Sequence, residues 1–426
     1  MEKVIIYGLG NCWNDHWSEL AKKYEIICCI DKDIEKRGNT KGFRFGSPES
    51  IKDFEYDKLI ICAYGVGIGI REEIILLWDI SIKKIYYFSE LHGNCSVRSD
   101  EEIGKLCDVL TIVIPTYNRK ERLNRTLDIL ERQTCKNFKI IILDNASNYD
   151  IERILEKREK RFRQNIVVKR NISNIGMHGN LAMLFLQVND GWMWTLADDD
   201  IPSVYAVETI FREIKKNRNA GVFWFSINSI KEYIIGDTKC IADLGGLAGF
   251  YRDIRETEKS LFEGDFIYLS NKVYNLKYVV RYLDKVFTYA YTGIPQIMPI
   301  LFMLSENDAK MVISNKKVVA YDAPDKNHWN WMEVALGMST IVDIPLGYAC
   351  EDDKKMLYRL IMLNSDNLLN VIEREVTDKT ISVLEKVYHN IYELYLNEVE
   401  KKRYLVSLSA MKQSLLKNEL ALKIWK

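Results

Sequence analysis

Three consecutive aspartates, Asp198, Asp199 and Asp200, close the apolar run "GWMWTLADDD". Carboxylates packed side by side repel, and they ionise together only where a cation or several donors face them. One reading is a divalent metal site. The other is a solvated turn in which Asp caps a helix expected over "IPSVYAVETIFREIKK". Three earlier apolar runs also end in polar residues: Thr116, Tyr117 and Asn118; then Asp144, Asn145 and Ser147; then Arg170 and Asn171. In an open α/β sheet, ligands bind at the carboxyl ends of the strands. Four polar strand ends in one sheet therefore make one pocket.

The elements that must position these residues follow from periodicity. "VLTIVIPTYNR", "FKIIILDNAS", "NIVVKRN" and "GWMWTLADDD" read as strands, with "KERLNRTLDILERQ" an amphipathic helix between the first two. "NIGMHGNLAMLFLQV" holds a turn and a helix. Further strands are expected over 221–227, 266–275 ("FIYLSNKVYN") and 316–325 ("KKVVAYDAPD"), and from about 333 the pattern is helical. "TGIPQIMPILFML" is too short to span a bilayer, which leaves a core helix or a surface that meets a membrane or a lipid-linked molecule. The final stretch sets Lys and Arg on one face and Leu, Ile and Trp on another. It reads as a helix packed on the second domain or as a peripheral membrane helix.

The first ninety or so residues alternate apolar strands with helices, which predicts a small Rossmann-like parallel sheet. Gly8, Gly10 and Asp31 sit where a dinucleotide fingerprint would have them, but Trp13 occupies the third glycine position, where an indole hinders close helix–strand approach. An interaction domain is favoured over a nicotinamide-binding one. The polar run "LHGNCSVRSDEEIGKLCD" separates this unit from the next. In total, 60 basic and 60 acidic residues balance, which argues against a nucleic-acid partner. Nine cysteines, an odd number without a CxxC pair, read as reduced thiols of a cytosolic chain. The amino terminus enters a strand directly, with no signal-peptide layout, and no spanning helix is expected.

In order and spacing, "LTIVIPTYNRKERLNRTLDIL", "KIIILDNASN", "RNISNIGMHGN" and "WTLADDDI" resemble the inverting GT-A glycosyltransferases of family 2, over roughly residues 108–215 and more weakly to about 335. Within that family the chain is most similar to enzymes of bacterial O-antigen or capsular polysaccharide assembly. The resemblance implies an α/β chain in four parts: a Rossmann-like domain over 1–92, a linker over 93–107, a GT-A domain over 108–335 and a helical region over 336–426. It implies a nucleotide-sugar donor, UDP-sugar first, and a glycan or lipid-linked glycan acceptor. Mn2+ or Mg2+ would neutralise the donor diphosphate. Cytoplasmic placement, peripheral contact with the inner membrane face and a homo-oligomer complete the expected setting.

Residue roles carry over by position. Asp198 and Asp200 match the outer pair of the family's Asp-x-Asp motif, with metal binding assigned to them and substrate contact to Asp198 and Asp199. Pro115, Thr116 and Tyr117 would cradle the nucleoside, with Tyr117 stacking on the base. Asp144 would accept the uracil imide N–H, its alternative being an Asx turn in "DNAS". Asn174, Gly176 and Asn180 would form the donor loop, and Arg170 would meet a phosphate or stay a solvated strand-end charge. His328 is the late metal or diphosphate ligand and His178 a second candidate, each with a structural alternative. The sequence departs from the family where the base that deprotonates the acceptor should stand. No clean acid pair follows "FIYLSNKVYN", so Asp265 is the first choice, ahead of Glu263, Asp322 and Asp325. Two competing readings are a catalytically inactive GT-A scaffold that binds a partner and, disfavoured by "PTYNR", a sugar-phosphate nucleotidyltransferase.

Overall fold

The computed structural model describes residues 1–426 except 64–69, 92–109, 228–238, 242–249, 251–264, 307, 321–330, 347–350, 363–367, 370–375 and 425–426. The expected linker lies outside the described residues. The chain opens with β1 (Lys3–Tyr7), α1 (Asn11–Lys23), β2 (Glu25–Ile30), β3 (Phe45–Gly46), β4 (Lys58–Ile61), α2 (Ile70–Trp78) and β5 (Ile85–Tyr87). The strands form one parallel sheet in the order β3-β2-β1-β4-β5. Val4 and Ile6 pack under α1 with Trp13 and Leu20, while Ile5 and Tyr7 pack toward Ile74 and Ile75 of α2. Side chains alternate between faces along a strand. Both faces are covered here, so the strands read as unbroken apolar runs.

The carboxyl edge of this sheet is closed by its own chain. Asp31 Oδ2 accepts the Leu9 N–H at 2.7 Å, with Lys36 Nζ 3.4 Å away. Trp13 is fully buried, and its Nε1 donates to the Asn39 carbonyl at 2.7 Å. Gly8 is required: its φ is +97°, and a Cβ there would come within 2.9 Å of the Cys62 carbonyl oxygen. Cys12, Cys28, Cys29, Cys62 and Cys135 are buried free thiols.

The second, larger sheet begins with β6 (Leu110–Thr116), α3 (Lys120–Glu131), β7 (Phe138–Asp144) and β8 (Ile166–Arg170). It continues through α4 (Gly176–Met183), β9 (Trp192–Thr195), β10 (Ile201–Pro202), α5 (Ala206–Lys216), β11 (Ala220–Ile227), β12 (Lys239–Ile241), β13 (Lys272–Asn275) and β14 (Lys310–Ala320). Its order is β10-β14-β11-β13-β9-β6-β7-β8, with β12 also on β14. The strands β9, β6, β7 and β8 are parallel, and the register aligns Thr116 with Asp144 and Asp144 with Arg170. At β9 the sheet turns antiparallel, through β13 to β11. This is the parallel-then-mixed α/β sheet of the expected GT-A domain.

Two strands differ from expectation. The run over 266–275 is a 3-10 turn at Asp265–Ile267 and a strand only over Lys272–Asn275. The residues between serve β9 and the acid turn: Trp194 Nε1 donates to the Ser270 carbonyl, and Thr195 Oγ1 donates to that of Leu269. The last strand starts at Lys310, ahead of the expected 316.

The helical region comprises α6 (Met298–Ser305), α7 (Trp331–Ser339), α8 (Glu351–Ile361), α9 (Asp378–Val387) and α10 (Glu398–Ile424). Met298 to Leu304 are all buried, so "TGIPQIMPILFML" is a core helix. Val113, Leu143 and Met193 of the sheet share one core with Leu301, Met338, Leu357, Leu384 and Tyr404. The opposite face packs Ile112 and Ile114 against Leu123, Leu127 and Ile210 of α3 and α5. The final helix packs through Tyr404, Leu408 and Met411, with Val406 and Leu416 exposed on its outer side. Among the described residues no helix is long and apolar enough to cross a membrane.

Candidate active site

The three aspartates follow β9, the strand at which the parallel half meets the mixed half. They do not cap a helix. The short strand β10 intervenes, and α5 starts at Ala206 with no side-chain cap. Nor are they solvated: Asp198 and Asp200 are 2% exposed and Asp199 7%. The solvated-turn alternative is thereby overturned. Burying three acids demands partners, and the structure supplies them from two sides.

The first side is α3. Thr116 Oγ1, at the end of β6, donates to Asp198 Oδ2 at 2.6 Å. Arg119 Nη1 is shared between Asp198 Oδ1 (3.0 Å) and Asp199 Oδ2 (2.9 Å). Arg122 Nη1 lies 3.4 Å from Asp199 Oδ2, and Arg125 Nη2 donates to the Asp199 carbonyl at 2.9 Å. Thr126 Oγ1 lies within reach of the Asp198 and Asp200 carbonyls, at 3.0 and 3.2 Å. Spacing of three and four residues puts these groups on one helix face. The second side is the segment before β13. Ser270 Oγ donates to Asp200 Oδ2 and accepts the Ala197 N–H at 2.8 Å. So the turn is held between a basic helix and a serine outside the expected strand.

The electrostatics follow from that arrangement. Burial pushes the Asp198 carboxyl up to about 6, opposed by Arg119; the neighbouring Asp199 charge adds to the rise, and the Thr116 hydrogen bond reduces it. An arginine thus bridges Asp198 and Asp199, whereas the cation was expected between Asp198 and Asp200. Asp200 faces Ser270 instead. Hard oxygen donors of this kind suit Mg2+ or Mn2+, which take one or two carboxylates and complete their shell with phosphate oxygens and water. Among the described residues, no three His, Cys, Asp or Glu side chains form a ready-made metal cage. The residues therefore fit a cation that arrives with its phosphates.

Around this turn the other strand ends converge. Tyr117 is 42% exposed beside buried Thr116. Asp144 is 1% exposed, and both oxygens are engaged: Oδ1 accepts the Ser147 N–H at 3.0 Å and Oδ2 accepts from Arg170 at 2.9 Å. Asp144 thus ties the turn after β7 through the Ser147 N–H three residues on, and Arg170 pairs with an acid instead of standing alone. Asn145 is a hub. Its amide nitrogen donates to Asn174 Oδ1 (2.8 Å), and its oxygen accepts from Asn171 Nδ2 and the Ile175 N–H, each at 3.0 Å. Asn171 also donates to Asn180 Oδ1, and Gly176, with φ +78°, donates its N–H to Asn174 Oδ1. These amides fix the loop after β8 against the β7 turn.

His178 packs toward Gly293, where a Cβ would come within 3.1 Å of Nε2, and burial holds its imidazole below the usual range. Glu263, Asp322, Asp325 and His328 lie outside the described residues, and Asp265 is described only as the start of a 3-10 turn. Sequence reasoning missed Arg119, Arg122 and Arg125, although one cation every three residues beside a polar strand end was a readable signal. It missed Ser270 too, for which no local signal exists.

Comparison with known proteins falls on this site. Residues 111–244 match the family model "Glycosyl transferase family 2", and residues 1–86 match "C2185-like, N-terminal". An uncharacterized glycosyltransferase of Haemophilus influenzae is 31% identical over 111 residues, 26% of this chain and 36% of that protein. Abequosyltransferase RfbV of Salmonella typhimurium is 31% identical over 94 residues, 22% of this chain and 28% of that protein. The chain thus spans about a third of the length of these curated relatives. Staphylococcus aureus TarS 1-349 in complex with UDP-GlcNAc aligns at a TM-score of 0.48 and 13% identity, over 72% of this chain and 92% of that one. Mannosyltransferase PcManGT of Pyrobaculum calidifontis, in complex with GDP-Man and Mn2+, aligns at 0.40 and 12% identity, over 71% and 86%. Superpositions this loose leave the fold to be read from its own topology. The segment that carries the acid turn is a family 2 glycosyltransferase domain.

Proposed function

We propose that the protein transfers a glycosyl group from a nucleotide sugar, UDP-sugar first, to a hydroxyl of a glycan or lipid-linked glycan in bacterial surface polysaccharide synthesis. One observation carries this reading: three buried aspartates at the carboxyl end of a central strand, inside the segment matched to the family. The partial match to an abequosyltransferase supports glycosyl transfer. In the transfer, the acceptor oxygen forms a bond to the anomeric carbon while the bond to the diphosphate breaks, with inversion. The acceptor proton passes to a base, for which Asp265 is the first candidate and Glu263, Asp322 and Asp325 follow.

The chain's own groups divide the work. Tyr117 gives a stacking face for the base. Pro115 and Thr116 shape the turn beneath it. Asp144, already bonded to Ser147 and Arg170, keeps unused lone pairs for an imide N–H. Asn174, Gly176 and Asn180 hold the donor loop in place. Arg119 keeps Asp198 and Asp199 compensated until donor enters. Asp200 and Asp198 would hold Mn2+ or Mg2+, with His328 as a further ligand. Bound there, the metal supplies charge neutralisation of the departing diphosphate.

The test is thermal stability with UDP-, GDP-, dTDP- and CDP-sugars, each with and without Mn2+. A donor at 100 times its Kd stabilises by about 2.7 kcal/mol. A shift with one nucleotide that requires metal supports the reading. A well-folded sample that responds to none overturns it in favour of a partner-binding scaffold.

A further inference from the structure

We propose that the N-terminal domain is a positioning element for the acid turn, acting through Glu72 and Arg71 at the start of α2. Both side chains are 2% exposed, although charged residues are almost never fully buried unless paired. Glu72 Oε1 accepts the backbone N–H of Val204 at 3.3 Å. The Arg71 guanidinium lies over the rings of Tyr87, 4.4 Å from its centroid, and Tyr205, 5.1 Å from its centroid. Val204 and Tyr205 follow Asp200 by four and five residues. The same helix holds the other wall of the turn: Arg132, just past α3, donates to the Ile75 carbonyl at 3.0 Å. Ile129 of α3, Val204, Ile74 and Ile75 share one buried cluster.

The segment 201–205 is therefore gripped on three sides. On the first, β10 pairs with β14, and the Ser203 N–H donates to the Val318 carbonyl at 2.8 Å. On the second, Gln133 Nε2 donates to the Ser203 carbonyl and the Thr134 N–H to that of Val204. The third grip comes from the other domain. It joins the helix that bears Arg119, Arg122 and Arg125 to the chain leaving Asp200, so the distance between cations and acids depends on α2. A buried acceptor on a backbone N–H fixes that segment in a way surface packing does not.

The test uses the full chain and two readouts: amide hydrogen exchange over 198–205, and kcat and KM for the nucleotide sugar. Only the kinetic arm rests on the proposed transfer. Glu72→Ala should speed exchange over 198–205 about tenfold and lower kcat/KM by a similar factor, chiefly through KM, with β7 unchanged. Glu72→Gln keeps an acceptor oxygen and should restore both to within about twofold. Arg132→Gln, at a more exposed contact, should move both in the same direction by less, which covers the case in which Glu72→Ala does not fold. Wild-type exchange in the alanine variant, faster exchange with unchanged kcat/KM, or a glutamine variant that behaves as alanine would each overturn the proposal. If the wild-type chain binds and transfers no nucleotide sugar, the function reading fails, and the exchange arm alone decides whether α2 positions the turn.

Discussion

The molecule contains one parallel and one mixed sheet, and each presents an aspartate at the carboxyl end of a parallel strand. Their fates differ. Asp31 is held chiefly by backbone N–H groups, those of Leu9 and Asp33 at 2.7 and 2.9 Å, with the Lys36 ammonium farther off at 3.4 Å. Asp198 and Asp199 accept from arginine side chains on a neighbouring helix. A backbone donor cannot leave without breaking its loop, whereas a guanidinium can turn toward an arriving phosphate. Position at a strand end is thus necessary for a ligand site but does not suffice. What the carboxylate already holds, and whether that partner can be exchanged, separates a structural acid from a functional one.

The sharpest way to break this contrast is to remove one acid from each sheet. Asp200→Ala should lower transfer at least about 100-fold and abolish metal-dependent stabilisation by donor, read by initial rates and melting curves. Asp31→Asn should leave both intact. Removing the exchangeable partner comes next. Arg119→Ala leaves buried acids uncompensated and should cost roughly 3 kcal/mol in urea unfolding, with Arg119→Lys intermediate because an ammonium keeps the charge on a shorter, more strongly hydrated side chain.

Much of this contrast was legible before the structure. The four strand ends and the acid turn stand in the sequence because a buried parallel strand must be apolar until it leaves the sheet. Trp13, in the third glycine position, likewise spoke against a nicotinamide site. Arg119, Arg122 and Arg125 did not read as site residues, because cations at helical spacing on an amphipathic helix look like a solvated face until the acids they meet are known. Ser270 was hidden by a run that alternates like a strand; only the demand of Ala197 and Asp200 for a hydroxyl takes it out of the ladder. The reading of Asp144 as base contact or Asx turn stayed open because both use the same carboxylate, whose Oδ1 holds the Ser147 N–H, three residues on.

A third prediction sharpens the contrast through pH. Asp198 has a folded value of about 6, above its ordinary value of about 4. The folded state binds its proton more tightly, so this group's contribution to stability is fully present below about pH 4 and is lost as pH rises through 6. Asp198→Asn should therefore melt higher than the parent at pH 7.5, by the equivalent of roughly 1–3 kcal/mol, and the gain should vanish near pH 4. Asn can meet both neighbours: its oxygen faces Arg119, and its amide faces the Thr116 hydroxyl, which can turn to accept. A gain that persists at pH 4 would mean packing, not charge, is responsible. The smallest effect expected is that of Gly176→Ala. Its φ of +78° penalises a side chain by about 1 kcal/mol, but no atom lies within 4 Å of the added Cβ, so melting should fall slightly while donor KM changes little.

The change of direction at β9 divides the acid turn between two lengths of chain. The family match ends at residue 244, after the parallel strands, the acid turn and β11, and before β13 and β14. The acids lie inside the match, while Ser270, which holds Asp200 and the Ala197 N–H, lies beyond it. A segment cut at the bounds of the match would carry the aspartates without the hydroxyl that seats the last of them.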